Sequence, residues 1–211
     1  MSSALAVTAV GLLAQACFSA RMLVQWLMSE RARRVLSPSL FWILSVAGSF
    51  LLGMYGWLRH DFAIILGQAI SYYIYLWNLN IKGVWQRVPG LLRIIIVVAP
   101  PVLLALTAGS ASEAFDAFFR RADLPMWLLV FGSAGNLILS LRFIYQWLYS
   151  RRAGESELPA GFWIFSLAGA AIVFVYGILR ADIVLMLGQG FGLIVYSRNL
   201  IIGHRAAAGS K

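Results

Sequence analysis

The chain has 211 residues, of which 61% are apolar and only 12% charged, about half the charged share of an ordinary soluble domain. Eight Trp and thirteen Phe residues are too many to bury in one small core, and the mean hydropathy is +0.82. These values exclude a soluble enzyme, a disordered tail and a disulfide scaffold. The composition therefore predicts a polytopic membrane protein.

Seven apolar segments are each close to the roughly 20 residues that a membrane-spanning helix needs. Proline and turn signals separate them, and Pro100-Pro101 inside the fourth segment is expected to kink it. Very short connectors follow the second and sixth segments, which predicts tight helical hairpins there. The segments are residues 4–28, 39–58, 61–82, 90–108, 125–149, 160–179 and 182–203.

Most of the positive charges lie between the apolar segments, which is typical of a membrane-orientation signal rather than of a nucleic-acid-binding face. With the N-terminus outside, ten of the 17 Lys and Arg residues fall on the inner side, four on the outer side and three within segments. This bias predicts a bacterial inner-membrane protein with its N-terminus outside and its C-terminus cytoplasmic. Because no positive residue precedes Arg21, the first segment is expected to be a retained helix.

The sequence repeats itself after 121 residues: residues 21–81 and 142–202 are identical at 26 of 61 positions, which chance does not give. Each copy contains three segments, and the fourth segment has no counterpart. The predicted domains are a three-helix repeat at 1–83, a linker helix with an outer loop at 84–124, and a second repeat at 125–211. Such a 3+1+3 arrangement of parallel repeats is SWEET-like, with substrate sites expected on the axis between the halves.

Two intramembrane arginines recur at the same position of the repeat, Arg21 and Arg142, and each has a glutamine four residues later, Gln25 or Gln146. This spacing places both groups on one helix face. A charge within a membrane span costs about 2.5–3.5 kcal/mol, and Arg can bind a phosphate or carboxylate through two parallel hydrogen bonds. The alternatives are snorkelling to the interface and an internal pair with an acidic group or a carbonyl.

A second polar stripe recurs in the third and seventh segments, and it suits either substrate contact or helix packing. Several of these residues lie toward the cytoplasmic ends of their helices, together with an arginine that only the second copy carries. This predicts a positive, hydrogen-bonding pocket for an anionic lipid headgroup. The candidate residues are Gln68, Tyr75 and Asn78 in the first copy, and Gln189, Tyr196, Arg198 and Asn199 in the second.

Other polar and aromatic positions have simpler interpretations. Asp61 and Asp182 lie beside Arg59 and Arg180 and are interpreted as local charge pairs, while the sequence leaves proton coupling open. No metal-ligand spacing, nucleotide-binding loop or nucleophile–base pattern is present, so we expect no metal, no cofactor and no enzymatic activity. The repeated glycines predict close helix packing, and the repeated tryptophans an interfacial belt. They are Gly48, Gly56, Gly169, Gly177, Trp26, Trp42, Trp147 and Trp163.

The motif order resembles a known family. The first copy reads RMLVQWLMSE, PSLFWILSVAG, YGWLRHD and LGQ, and the second reads RFIYQWLYSR, PAGFWIFSLAG, YGILRAD, LGQ and YSRNL. This order resembles the lipid A biosynthesis N-terminal domain, a three-helix unit of the PQ-loop/SWEET-like group, present here as a tandem. Trp77 and Arg151 depart from the Arg and Glu of the pattern, which predicts an asymmetric site. The resemblance implies an association with glycosyltransferases that make or use polyprenyl-phosphate sugars.

The leading hypothesis is a transporter or flippase for an anionic lipid-linked sugar, an undecaprenyl-phosphate monosaccharide or a lipid A-related glycolipid, that works by alternating access. Arg21, Arg142 and Arg198 are expected to hold the phosphate, and the Asn and Gln residues to contact the sugar. The alternatives are a SWEET-like carrier of soluble sugar and a non-transporting membrane partner of a lipid glycosyltransferase. The expected partners are this lipid, membrane lipids and such a glycosyltransferase, and no nucleic acid.

Overall fold

The computed structural model describes residues 2–59, 62–110 and 125–208, and all regular secondary structure in these ranges is helical. Two short 3₁₀ turns, Trp85–Arg87 and Ala108–Ser110, flank the fourth long helix. Asp61 and the predicted outer loop at 111–124 lie outside the described residues. The long helices are α1 (Ser2–Ala32), α2 (Ser39–Leu58), α3 (Phe62–Ile81), α4 (Gly90–Thr107), α5 (Met126–Ala153), α6 (Ala160–Leu179) and α7 (Ile183–Ala208).

The seven long helices of the described residues follow the seven apolar segments, so this part of the prediction is confirmed. Six of them are long and apolar enough to cross a membrane. The chain is therefore an all-helical membrane protein in its described part, while the parallel-repeat arrangement, the orientation and the choice of membrane stay predictions.

The chain divides into two compact units, and the division falls inside α1. The first unit contains Met1–Val24 and Pro38–Arg121, and the second contains Gln25–Ser37 and Ala122–Lys211. In the first unit α2 packs on α3, and α4 packs on both. In the second unit α6 packs on α5 and α7. The last two turns of α1 and the connector to α2 therefore belong to the unit that is otherwise built from the second half of the sequence.

The repeated glycines allow neighbouring helices to pack closely, as predicted. A Cβ atom on Gly169 of α6 would lie 2.9 Å from the carbonyl oxygen of Gly135 and 2.8 Å from Cγ of Leu139, both on α5. In the first unit, a Cβ atom on Gly48 would lie 2.9 Å from the ring of Phe18. Since real Cβ contacts are longer than this, the helices could not approach as closely with any larger residue.

The connectors that follow α1 and α5 begin with the same backbone conformation. Gly154 directly after α5 has φ of 73°, and Arg33 at the equivalent position after α1 has φ of 54°. A left-handed residue after the last turn is a common helix terminator. Glycine adopts this conformation without strain, whereas Arg33 has to tolerate the steric cost of a Cβ atom.

Two consecutive prolines interrupt the hydrogen bonding of α4. Pro100 and Pro101 have no N–H group, so the carbonyls four residues earlier lose their helical partners. The structure supplies replacements from α3: the Tyr72 hydroxyl donates to Ile96 O at 3.1 Å and the Tyr73 hydroxyl to Val97 O at 2.8 Å. Because an unsatisfied carbonyl is costly in a membrane, the two tyrosines allow the prolines to stay inside a spanning helix.

We expect Tyr72→Phe to lower the free energy of unfolding by about 1 kcal/mol, because the carbonyl of Ile96 loses its donor. In a Pro100→Ala background the same substitution is expected to cost much less, because residue 100 then offers its own N–H to Ile96. Equilibrium unfolding of the four proteins in mixed dodecyl maltoside and SDS micelles measures this coupling. Purely additive losses would contradict the compensation between the two helices.

Candidate functional site

Arg21 is buried in the first unit among hydroxyl and aromatic groups. Its Nη1 donates to the Ser45 hydroxyl at 2.9 Å, and that hydroxyl in turn donates to the carbonyl of Phe41. The guanidinium carbon lies 4.6 Å from the ring centre of Phe18, 5.4 Å from that of Phe41 and 5.6 Å from that of Tyr75. Aromatic faces attract a cation, so this cradle stabilises a charge that the membrane interior disfavours.

Arg142 has an equivalent cradle in the second unit. Its Nη1 donates to the Ser166 hydroxyl at 3.2 Å and to the Tyr196 hydroxyl at 3.0 Å. The rings of Phe143 and Phe162 lie 4.8 Å and 5.5 Å from the guanidinium carbon. The serine, the Phe on α6 and the tyrosine are the repeat counterparts of those around Arg21, 121 residues later.

The surroundings of Arg142 are neutral. Its side chain is 8% exposed, its Nε atom has no hydrogen-bond partner, and none of the described carboxylates lies within ion-pairing distance. Hydroxyl groups and aromatic faces therefore hold this charge without neutralising it. The arrangement leaves a positive electrostatic potential inside the second unit, which attracts anions.

The two glutamines predicted as ligands hold the connectors between helices. Gln25 Nε2 donates to the Ser29 hydroxyl at 2.9 Å and to the carbonyl of Leu36 at 3.2 Å. Ser29 Oγ also accepts the backbone N–H of Leu36 at 3.0 Å. Both backbone groups of Leu36 are thus bonded to side chains of α1, which fixes the connector to the end of that helix.

The second copy repeats this arrangement after α5. Gln146 Nε2 donates to the Ser150 hydroxyl at 2.8 Å and to the carbonyl of Glu157 at 2.9 Å. The N–H of Glu157 donates to Ser150 Oγ at 3.0 Å. The sequence carries a signal for this arrangement: a serine stands four residues after each glutamine, and a proline stands nine residues after each serine. In both copies the glutamine of this pattern holds the connector that follows its helix.

Gln25 also forms a hydrogen-bonded pair with a second predicted site residue, Asn199, within the second unit. Its Nε2 donates to Asn199 Oδ1 at 2.9 Å, and Asn199 Nδ2 donates back to Gln25 Oε1 at 3.2 Å. Both side chains are fully buried, and Asn199 Nδ2 also donates to the carbonyl of Val195. The reciprocal amide pair ties the end of α1 to α7.

Arg198 forms an ion pair with Glu30 on the surface of the second unit. Its Nε donates to Glu30 Oε2 at 2.9 Å, and its Nη2 binds Oε1, so the pair is bidentate. The two side chains are 38% and 40% exposed. Their repeat counterparts are Trp77 and Arg151, which cannot form an ion pair. For Arg198 to hold a phosphate, its pair with Glu30 has to open.

The remaining predicted residues have packing partners. The Ser49 hydroxyl donates to Gln68 Oε1 at 3.0 Å, whereas the second copy has Ala170 at the serine position and a half-buried glutamine, Gln189, at the other. Asn78 is fully buried and donates to the carbonyl of Ile74. The Asp182 carboxylate accepts the backbone N–H of Leu185 at 3.1 Å and so caps the start of α7.

A cavity of about 800 Å³ lies in the second unit, beside the C-terminal turns of α7. Its wall combines the α1–α2 connector, the α5–α6 connector, the first turn of α6 and the last turns of α7. This volume is within the usual range for small-molecule sites. The polar residues in the wall are Arg34, Ser37, Ser156, Glu157, Trp163, Asn199 and His204.

Trp163 is the residue of this wall that the sequence interpretation placed wrongly. It was expected in an interfacial belt, but it is 1% exposed, packed at 6.1 Å between ring centres against Tyr196, whose hydroxyl binds Arg142. Its Nε1 has no hydrogen-bond partner among the described residues. A buried indole N–H normally has one, so this donor is left unsatisfied in a residue of the cavity wall.

The helices and these buried polar clusters define a polytopic membrane protein with two related arginine cradles and one polar cavity in its described part. Its family follows from comparison: residues 10–80 and 131–201 each match the Lipid A Biosynthesis N-terminal domain. The chain belongs to this family, as its motifs indicated. The two matched ranges begin 121 residues apart, the same offset as the internal repeat.

Curated relatives extend the likeness to nearly the whole chain. The lipid-A-disaccharide synthase of Chlamydia muridarum is 30% identical over 208 residues, which cover 94% of this chain and 34% of that protein. Those of Chlamydia caviae and Chlamydia abortus are 31% and 32% identical, and each match covers 92% of this chain and 32% of the relative. The chain thus spans about a third of the length of these relatives. No solved structure matches it significantly.

These relatives correct one expectation. The absence of a catalytic pattern led to the prediction that the chain is not an enzyme, and this is contradicted, because relatives matching nearly all of it are named as a synthase. The reasoning failed because it treated the chain by itself, whereas about two thirds of each relative lies outside the match.

Proposed function

We propose that the second unit binds the headgroup of an anionic lipid-linked sugar and that the protein moves this lipid across the membrane. The observation that carries the proposal is the cavity of about 800 Å³ whose wall includes Trp163, a residue whose buried indole N–H has no partner among the described residues. A buried donor beside an open space favours a ligand rich in oxygen acceptors. The family and its relatives, connected by name with lipid A, support a glycolipid as that ligand.

The other side chains of the wall suit a sugar with a neighbouring phosphate. Glu157 can accept hydrogen bonds from sugar hydroxyls, while the Asn199 amide, bonded to Gln25 and Val195, holds this part of the wall in place. Exposed Arg34 can bind a phosphate through two parallel hydrogen bonds. The cavity therefore offers donors, an acceptor and a cation within one wall.

Arg142 contributes to the proposal from behind this wall. Its guanidinium is connected to the cavity through Tyr196 and Trp163, and its neutral neighbours leave its charge uncompensated. In a weakly polar interior such a charge acts over several ångströms and favours an anion nearby. Arg21 is held by a similar aromatic cradle in the first unit.

A second candidate function is presentation of the lipid to a glycosyltransferase without transport. Its specific support is the coverage of the relatives: this chain corresponds to about a third of proteins named lipid-A-disaccharide synthase. In this role the cavity binds the lipid on which such a synthase acts, and the reaction takes place elsewhere. Both candidates use the same cavity and differ in whether the lipid crosses the membrane.

The test uses the full chain in vesicles that contain polyprenyl-phosphate glucose with a radiolabelled sugar. Impermeant periodate measures the fraction of sugar in the outer leaflet over time. We expect the protein to accelerate exchange between leaflets and Trp163→Phe to slow it about fivefold, because one hydrogen bond to the sugar is lost. Trp147→Phe is the matched control, since Trp147 lies on α5 outside the cavity wall and is expected to behave as wild type.

Exchange no faster than in protein-free vesicles would reject transport. If the same lipid still binds and Trp163→Phe still weakens its binding, the presentation function stands instead. Equal behaviour of the two Trp variants in both exchange and binding would reject the cavity as the lipid site.

A further inference from the structure

A second concave site lies in the first unit, where the function proposed above has no part. It is a groove of about 470 Å³ between α2, α3 and α4. Its floor and walls are apolar side chains, among them Phe50, Leu76, Val88 and Ile95. Two polar side-chain groups belong to its lining, the Tyr72 hydroxyl, which is already bonded to Ile96 O, and the indole N–H of Trp85. Along its apolar walls the groove therefore offers space to a hydrocarbon chain.

One end of the groove is formed by the 3₁₀ turn Trp85–Arg87, and this end is cationic. Val84 and Trp85 line the groove, and Lys82 and Arg87 flank them in sequence. Arg87 is exposed and has no ion pair or side-chain hydrogen bond within the described residues. The sequence contains no Asp or Glu from residue 62 to residue 112, so the segment that forms α3, the 3₁₀ turn and α4 carries basic residues and no acid of its own.

The cationic end is held rigidly in place. Arg93 Nε donates to Val88 O at 2.7 Å and its Nη2 donates to Gln86 O, while Gln86 Nε2 donates to Asn80 Oδ1 at 3.1 Å. These bonds connect the ends of α3 and α4 through the 3₁₀ turn. Arg93 is therefore a structural residue here, whereas Arg87 is left for an external anion.

We infer that this groove binds one anionic phospholipid of the surrounding bilayer, with an acyl chain along the apolar walls and its phosphate at Arg87. The charge pattern supports this occupant: the walls are apolar, the turn at one end is basic, and basic pockets between membrane helices bind anionic headgroups. A neutral lipid would gain nothing from the cationic end, and a soluble anion would gain nothing from the walls. The inference does not depend on the cavity of the second unit.

Trp85 gives this site an optical probe, because brominated acyl chains quench nearby indoles. The full-length protein is placed in vesicles with one of two lipids brominated, phosphatidylglycerol or phosphatidylcholine. The difference between wild type and Trp85→Phe isolates the signal of Trp85 from those of the other seven tryptophans. We expect the relative binding constant at Trp85 to favour phosphatidylglycerol several-fold.

Arg87→Gln is expected to reduce that preference about fivefold, the equivalent of about 1 kcal/mol for one basic residue at a membrane surface. Arg59→Gln, which removes an exposed cation of the same unit outside the groove, is expected to leave it unchanged. Ala47→Phe, which occupies part of the groove without adding an indole, is expected to lower the Trp85 signal for both lipids while the protein stays monodisperse.

Equal binding constants for the two lipids, or equal effects of Arg87→Gln and Arg59→Gln, would overturn the inference. Displacement of phosphatidylglycerol from Trp85 by an equimolar amount of polyprenyl phosphate would also overturn it, because the groove would then belong to the lipid-linked sugar. None of these outcomes alters the sugar-exchange assay, so the two proposals fail independently.

Discussion

Gln25→Leu is expected to lower the free energy of unfolding by about 3 kcal/mol, although leucine is similar in size. The substitution removes donors to Ser29, Leu36 and Asn199 and the acceptor for the Asn199 amide. All of these groups lie inside the second unit, and leaving buried polar groups without partners costs about 1 kcal/mol or more each. Unfolding in mixed dodecyl maltoside and SDS micelles measures the loss.

The reciprocal amide pair makes a double substitution informative. Asn199→Leu alone is expected to cost about 2 kcal/mol, because it leaves the Gln25 amide without its partner on α7. Gln25→Leu with Asn199→Leu is expected to cost about 1 kcal/mol less than the sum, because neither amide then remains unsatisfied. If the loss in the double variant equals the sum of the two single losses, the two amides do not interact in the folded protein.

Gln189→Leu is the control for both substitutions. Gln189 lies half-buried on α7 and has no hydrogen bond within the described residues. Its replacement is therefore expected to change stability by less than about 0.5 kcal/mol. A loss comparable to that of Gln25→Leu would mean that glutamine is required at these helices for a reason other than the observed bonds.

The positions of the helices could be predicted because composition alone decides them. Runs of about 20 apolar residues leave few other solutions for a chain in a membrane, and Pro38, Pro89, Pro125 and Pro159 mark where four of them begin. The pairing of polar groups could not be predicted, because it depends on which helices are neighbours. Gln25 and Asn199 are 174 residues apart, and the sequence around either residue does not predict the other as its partner.

The tyrosines that bind α4 show how much more the repeat could have revealed. Tyr72 and Tyr73 have Leu193 and Ile194 as their counterparts, and only the first copy is followed by the linker helix with its two prolines. A polar pair present in one copy alone therefore marks the copy that packs against the additional helix. The comparison of copies predicts such partners better than either copy by itself.

Of the predicted site residues, only Asn199 lines the cavity, and ligand binding by the others stays a prediction. The repeat identified Arg21 and Arg142, because a charge conserved between two membrane helices of one chain needs a reason. It did not reveal that serine hydroxyls and aromatic faces would hold them, nor that Trp163 would be buried beside a cavity. A tryptophan near a helix end suits a membrane interface and a binding site equally well, and only the packing of α6 decides between them.

Gly169→Ala is expected to lower the free energy of unfolding by about 2 kcal/mol. The added methyl group would lie 2.9 Å from Gly135 O, which is a backbone atom of α5 and cannot move without moving that helix. Overpacking of this kind costs about 1–3 kcal/mol, more than alanine returns through its higher helix propensity. Unfolding in the same mixed micelles measures the effect.

Gly188→Ala provides a control with the opposite expected sign. Gly188 lies in α7, where an added Cβ atom would have no neighbour within 4 Å. The substitution is therefore expected to leave stability unchanged or to raise it by up to about 1 kcal/mol. Equal effects at the two glycines would show that the close contact of α5 with α6 does not limit stability.

A third variant separates the two atoms that crowd Gly169. Leu139 Cγ would lie 2.8 Å from the new methyl group, and a side chain can be shortened whereas the carbonyl of Gly135 cannot. Leu139→Ala is therefore expected to recover less than half of the loss caused by Gly169→Ala, after its own cost is measured separately. Full recovery would show that the Leu139 side chain, and not the carbonyl of Gly135, causes the loss of stability. The distance between the two backbones would then not require glycine at position 169.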